Sequence, residues 1–343
     1  MTIERRGERG VTMRAVAARA GVSPMTVSNV INGAGRAGAA TVAAVRAAID
    51  ELGYIPNVSA RQLARARATT VGLIYSGART PFLDAILTGS LRATNAHGLQ
   101  LLLREEQRLT RDAAEEAARA LVRGGADALL LIPPFAELLS EAGLVGALGV
   151  PAAAIATGGT LAGTATVRID NRAAMRALTQ RLIARGHRRI ALVSGPPNHS
   201  DSADRIHGYR DALAGAGIAP DARLLFEGRF DHESGIAAGA ALLSSADRPS
   251  AIMCSNDDMA AGVIGEAHRR GLRLPRDLAV TGFDDTTMAS LISPALTTVR
   301  QPIQQMAYRA AEMLIRAGRR GELAEAEDEL VEYELIERES TAG

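Results

Sequence analysis

From residue 69 to near the C-terminus, short apolar runs alternate with longer amphipathic ones, and this alternation restricts the fold more than any other feature of the sequence. Strand-like runs are predicted at 70–75, 99–103, 128–132, 152–155, 166–169, 189–193, 251–254 and 278–282. Helical stretches at 82–97, 111–124, 172–185, 202–216, 232–243 and 259–270 lie between them. Strands this apolar need cover on both faces, and intervening helices supply it when the strands run parallel. The segment is long enough for two such doubly wound lobes. In a doubly wound lobe, ligands bind outside the carboxyl ends of the strands. Two lobes place two of these edges across a cleft.

The first fifty residues read differently. In VTMRAVAARAGVSPMTVSNVING, Thr12 can cap a helix whose inner face is Met13, Val16, Ala17 and Ala20. Gly21 can adopt the left-handed conformation that ends it. Ser23 then caps a second helix with Pro24 in its first turn, where no N–H is needed. Val27, Val30 and Ile31 face inward, and Asn32-Gly33 stops the helix. The outer face carries Met25, Thr26, Ser28 and Asn29, a surface that fits the major groove of DNA. On this pattern Met25 and Asn29 face base edges beside Pro24, while Thr26 and Ser28 hold phosphates. An ordinary helical hairpin is the alternative. A third helix is expected over 39–52, and after Pro56 a short one over 58–64, headed by Asn57.

Charge separates the two regions. Residues 1–68 hold ten Arg against four acids, a net of +6; the rest holds 29 basic against 34 acidic residues, a net of −5. A basic head on an acidic body suits a polyanion at the head alone. Cys254 is the single cysteine, which excludes an internal disulfide. MTIERRGERG has no apolar core of a secretory signal and no run is long enough to cross a bilayer, so a cytoplasmic, nucleoid-associated protein without membrane contact is expected. No P-loop and no G-x-S-x-G elbow occur, and neither an enzyme nor a cofactor is expected.

The hairpin together with ELGYIPNVSARQLA resembles the N-terminus of the LacI/GalR family of bacterial transcriptional repressors, and the resemblance continues to the C-terminus. It implies an all-α helix-turn-helix headpiece (1–56), a hinge helix and linker (57–68), and a two-lobed α/β effector domain of periplasmic-binding-protein type (69–343), with the chain crossing between lobes three times. The DNA-facing set is then Thr12, Ser23, Pro24, Met25, Thr26, Ser28 and Asn29, with Asn57 and Leu63 on the hinge. In the family the hinge enters the minor groove and its Leu opens a base step. A homodimer on a near-palindromic operator is implied, with no leucine-heptad tail for a tetramer.

Candidate ligand residues follow strands. Asp170-Asn171, Asn256-Asp257 and Asp284-Asp285 stand at strand ends, and Arg205 lies early in a helix after GPPNHS. The family's effector residues map onto Arg205, Asn256 and Asp284; for Asp170, Asp257 and Asp285 capping or structural bonding is favoured. Phe82 and Phe230 can wall the cleft or fill the core. His199, Asp201, Asp204 and His207 lack a metal-ligand spacing and read as a polar rim. Three departures stand out: Ala156 replaces a polar residue common at its strand end, Gly38 replaces a stronger cap, and Val42 follows Thr41 where an Arg is frequent. The effector is expected to be a sugar or sugar derivative. A nucleoside or purine is the alternative, and a ligand-binding protein or enzyme of the same fold a more distant one. Aromatics are only 3% of the chain, which disfavours a stacked base.

Overall fold

A computed structural model describes residues 12–31, 38–52, 70–76, 80–141, 143–320 and 327–342. They belong to two compact units that divide between residues 68 and 69.

The first unit is three helices: α1 (Met13–Ala20), α2 (Pro24–Ile31) and α3 (Ala39–Leu52). Thr12 Oγ1 accepts the Ala15 N–H at 3.3 Å. Gly21 sits at φ 65°, and the Val22 N–H closes on the Ala17 carbonyl at 3.0 Å. Only a residue free of Cβ strain makes that stop cheaply. Ser23 Oγ accepts the Thr26 N–H at 3.1 Å and starts α2. Val16, Ala17, Val27, Val45 and Ala48 form the core. The pattern at helical spacing thus yields the predicted hairpin and its third helix.

The second unit has two lobes. The first holds β1 (Val71–Tyr75), α4 (Pro81–Ala96), β2 (Leu101–Glu105), α5 (Arg111–Arg123), β3 (Ala128–Leu131), α6 (Phe135–Glu141), α7 (Leu144–Ala147), β4 (Ala152–Ile155) and β5 (Ala165–Arg168). After α8 (Asn171–Ala184) come β6 (Ile190–Ser194), α9 (Ser200–Gly215), β7 (Leu225–Glu227), α10 (His232–Leu243), β8 (Ala251–Cys254), α11 (Asp257–Arg269), β9 (Ala279–Thr281) and α12 (Thr287–Leu291). The chain ends with β10 (Thr298–Arg300), α13 (Ile303–Arg320), β11 (Asp328–Leu330) and β12 (Glu334–Ile336). The first sheet has the order β11-β5-β4-β3-β1-β2 and the second β7-β6-β8-β9, every pair parallel. β10 and β12 pair antiparallel. The three passages between lobes follow β5, β10 and β11.

Several elements differ from expectation. β2 begins at Leu101, because Gly98 turns left-handed and the Leu99 N–H is spent closing α4 on the Thr94 carbonyl. β7, α6, β10 and α13 were not assigned from sequence. Near the C-terminus, β11 and β12 lie in different sheets, since the chain changes lobes between them.

α8 and α9 cross at Gly208, where an added Cβ would run into the Arg172 carbonyl. Gly208→Ala is therefore expected to cost about 1–3 kcal/mol through overpacking. Denaturant unfolding checks this, and a change within error would show that the helices can separate freely.

Candidate functional site

The strand ends of the two lobes enclose a cavity of about 530 Å³. Arg205 is its most constrained group. On α9, its side chain is 3% exposed and lies over the Phe283 ring, 3.9 Å from the centroid. Nε donates to Asn171 Oδ1 at 2.9 Å and Nη1 to the Ser255 carbonyl at 2.6 Å, while Nη2 forms an ion pair with Asp201 Oδ2 at 3.0 Å. Two of five N–H groups are thus committed to hydrogen bonds. Asp201 Oδ1 is buried with no hydrogen-bond partner.

Asn256 caps α11 by accepting the Met259 N–H at 3.0 Å, and its amide donates to the Phe230 carbonyl at 2.9 Å. One amide hydrogen stays available. Asp284 accepts from Gln301 Nε2 at 2.6 Å. Burial pushes its carboxyl up to about 8, against the pull of Arg205. Phe230 stands edge-on to His199, with centroids 5.3 Å apart, and Phe82 lines the opposite lobe. The cavity therefore brings together all five residues predicted for it: Phe82, Arg205, Phe230, Asn256 and Asp284.

Three of the four non-glycine residues with positive φ among the described residues line this cavity: Ala156 at 58°, Phe230 at 60° and Asp284 at 107°. Such backbone is costly and persists where the surroundings hold it, often at ligand sites.

At one edge the lobes are clasped. Glu137 of α6 accepts from the Ser200 N–H at 3.2 Å and its hydroxyl at 2.5 Å. Ser200 Oγ in turn accepts the Gly158 N–H at 2.8 Å. Burial raises the Glu137 carboxyl, and the Asp201 charge adds to the shift.

The neighbouring acids do structural work. Asp170 caps α8 through the Ala173 N–H at 2.8 Å. Asp257 accepts from Thr298 Oγ1 at 2.7 Å and from the Thr286 N–H at 2.7 Å, and burial raises its carboxyl to about 7. Asp285 pairs with Arg300 and Arg338, both at 2.7 Å. Among the described residues no three His, Cys, Asp or Glu side chains are grouped to hold a metal. Ser255 and Gln301 are not among the residues the sequence suggests. Asn171 was legible only as the partner of Asp170, and Gln301 follows a strand that was not assigned.

The raised carboxyl of Asp284 has a consequence for stability. Its folded value, about 8, lies above the ordinary 3.8, so the folded state holds a proton that the unfolded chain releases. That contribution is complete below about pH 4 and is lost as pH rises towards 8. Asp284→Asn is expected to flatten this part of the stability profile. An unchanged slope in urea titrations across that range would locate the effect elsewhere.

On the head, Ser23 and Pro24 are exposed, Met25 is 71% exposed and Asn29 is half-buried. Thr26 Oγ1 lies 2.9 Å from Ser23 Oγ, so the two hydroxyls engage each other. The Ser28 side chain, and Asn57, Leu63 and the hinge helix, lie outside the described residues.

A helix-turn-helix unit and a two-lobed ligand-binding unit in one chain define a DNA-binding regulator with a small-molecule effector. Residues 12–57 match the family of bacterial regulatory proteins, lacI family, and residues 179–341 match a periplasmic binding protein-like domain. The chain is 36% identical to the HTH-type transcriptional regulator CelR of Thermobifida fusca, over 98% of this chain and 100% of that one. It is 34% identical to the ribose operon repressor of Escherichia coli K12, over 89% and 92%. The solved CelR-cellobiose complex superposes with a TM-score of 0.70 at 34% identity, over 96% and 99%. The lac repressor dimer bound to operator and the anti-inducer ONPF superposes with 0.83 at 26%, over 98% and 100%. The chain belongs to the LacI family of bacterial transcriptional regulators.

Proposed function

We propose that this chain is a homodimeric repressor whose operator affinity is set by a sugar or sugar derivative held between the lobes. The observation that carries the ligand class is the donor and acceptor set around Arg205. The guanidinium N–H groups free of hydrogen bonds, the Asp201 oxygen without a hydrogen bond and the remaining Asn256 amide hydrogen offer both halves of what adjacent hydroxyls need. Arg205, Asn256 and Asp284 bind the ligand, with Phe82 and Phe230 against its apolar faces. The naming of a cellobiose complex among the similar structures supports a saccharide.

On the head, Thr12, Ser23, Pro24, Met25, Thr26, Ser28 and Asn29 meet DNA, with Asn57 and Leu63 on the hinge. The boundaries remain 1–56, 57–68 and 69–343. Thr26 is better placed to brace Ser23 than to hold a phosphate by itself. No helix among the described residues is long and apolar enough to cross a membrane. The regulator acts in the cytoplasm in this reading, and it binds without catalysis. Ligand favours one separation of the lobes over another, and that preference shifts operator affinity. A nucleoside is the second reading, favoured by the His199–Phe230 pair beside Arg205.

Calorimetry with cellobiose, glucose, galactose, ribose and adenosine tests the ligand class. Binding to a sugar is the expected result. Binding to adenosine alone would replace the sugar by a nucleoside.

A further inference from the structure

Two of the three passages between the lobes carry a buried carboxamide, and each carboxamide grips a residue of the cavity. Asn171 closes the passage after β5 and opens α8. It is 1% exposed, and its Oδ1 accepts the Arg205 Nε–H at 2.9 Å. Gln301 lies in the passage after β10. It is 3% exposed, and its Nε2 donates to Asp284 Oδ1 at 2.6 Å. Neither carboxamide lines the cavity itself.

Both carboxamides are only half used. Asn171 Nδ2 and Gln301 Oε1 are buried without a hydrogen-bond partner. Burying an unpaired amide group costs free energy that an apolar side chain of the same shape avoids. What these two amides supply in return is direction, since each fixes a group that faces the ligand. The backbone of the passages is tied in as well. The Asn171 N–H turns back to the Ile169 carbonyl at 3.1 Å, and the Asp284 N–H reaches the Val299 carbonyl at 2.8 Å.

When lobes rotate, a few residues in the connecting segments absorb the change in φ and ψ. Here those segments contain or adjoin Asn171 and Gln301. A change of backbone angle in the first passage therefore re-aims Arg205, and one in the second re-aims Asp284. The effect is reciprocal: a ligand that fixes Arg205 and Asp284 favours one setting of the passages.

We propose that Asn171 and Gln301 are positioning residues that join the ligand site to two of the passages, and that their hydrogen bonds to Arg205 and Asp284 convert ligand binding into a change of lobe arrangement. This rests on the reading of Arg205 and Asp284 as ligand residues and adds the route by which they act.

Asn171→Leu and Gln301→Met keep side-chain size and remove the hydrogen bond. Asn171→Asp keeps the acceptor for Arg205 Nε. The full chain and these variants, with folding checked by thermal denaturation, are titrated with cellobiose, glucose, galactose and ribose in calorimetry. Affinity for a duplex enriched by the wild type from a random pool is then read by fluorescence anisotropy, with and without saturating sugar. For the sugar that binds the wild type, Asn171→Leu and Gln301→Met are expected to bind roughly three- to tenfold more weakly. At saturation the operator shift, about tenfold or more in the wild type, is expected to fall below about threefold in both. Asn171→Asp is expected to restore it. A purely structural role would lower thermal stability and leave the shift at saturation intact. A full shift in both Asn171→Leu and Gln301→Met overturns the proposal while leaving the ligand reading in place. A loss in Asn171→Asp as large as in Asn171→Leu overturns the role of the Arg205 hydrogen bond. Binding of no sugar by the wild type overturns the ligand reading and the proposal with it.

Discussion

Arg205→Ala is expected to abolish the metabolite response and to weaken ligand binding at least about a hundredfold, roughly 2.7 kcal/mol. Hydrogen bonds to Asn171 and the Ser255 carbonyl and an ion pair with Asp201 hold its guanidinium, so the planar fork is aimed before any ligand arrives. A pre-aimed, largely dehydrated donor makes the stronger hydrogen bonds. Removing it also leaves Asp201 buried beside an empty space, which costs about 3–5 kcal/mol of stability where a buried pair is broken. Arg205→Lys separates the two effects. The ammonium keeps a positive charge near Asp201 but lacks the fork, so most of the stability returns while ligand binding stays weak. Calorimetry and denaturant unfolding on both variants distinguish these outcomes. Ligand affinity equal to wild type in either variant removes Arg205 from the site.

Asn29→Ala is expected to change which operator is preferred, not merely how tightly DNA is held. A carboxamide can make two hydrogen bonds to adenine in the major groove, worth about 1–3 kcal/mol of discrimination against another base. Asn29 sits one helical turn beyond Met25, which is 71% exposed on the same helix. A thioether side chain such as that of Met25 can offer apolar contact but no such selectivity. Binding measured against single-base variants of the preferred duplex should show the penalty at one position per half-site vanish. If Asn29→Ala kept every preference and lost affinity evenly, the residue would be a phosphate contact instead.

The head was legible because its signals are local. Gly21 permits a left-handed stop, Ser23 can cap a helix and Pro24 fits a first turn, and the backbone uses all three. The two lobes were legible from alternation, since buried strands of Ala, Leu, Ile and Val have few alternatives to a parallel sheet. What escaped depends on long-range partners. α13 carries Ile303, Met306, Ala307, Ala310, Ala311 and Leu314 on a helical period, a signal the sequence does contain. β10 and β7 span three residues each and are strands only because neighbours offer an edge. In the cleft, strand-end position marked Asn256 and Asp284 together with their acidic neighbours, and the family resemblance singled out these two with Arg205. It did not reveal that Asn256 is also a helix cap, or that Asn171 orients Arg205 from 34 residues away.

The most direct measurement is operator binding with and without sugar. Duplexes enriched by the full chain from a random pool would be titrated by fluorescence anisotropy at two salt concentrations, with wild type and Arg205→Ala. A near-palindromic sequence should be enriched, because two heads related by a two-fold axis read mirrored half-sites. Its affinity should exceed that of a scrambled duplex by about a thousandfold or more and fall steeply with salt. Sugar should shift it at least about tenfold in the wild type and leave it unmoved in Arg205→Ala. Equal affinity for scrambled DNA, or a sugar shift that persists without Arg205, would contradict a repressor switched through this cleft.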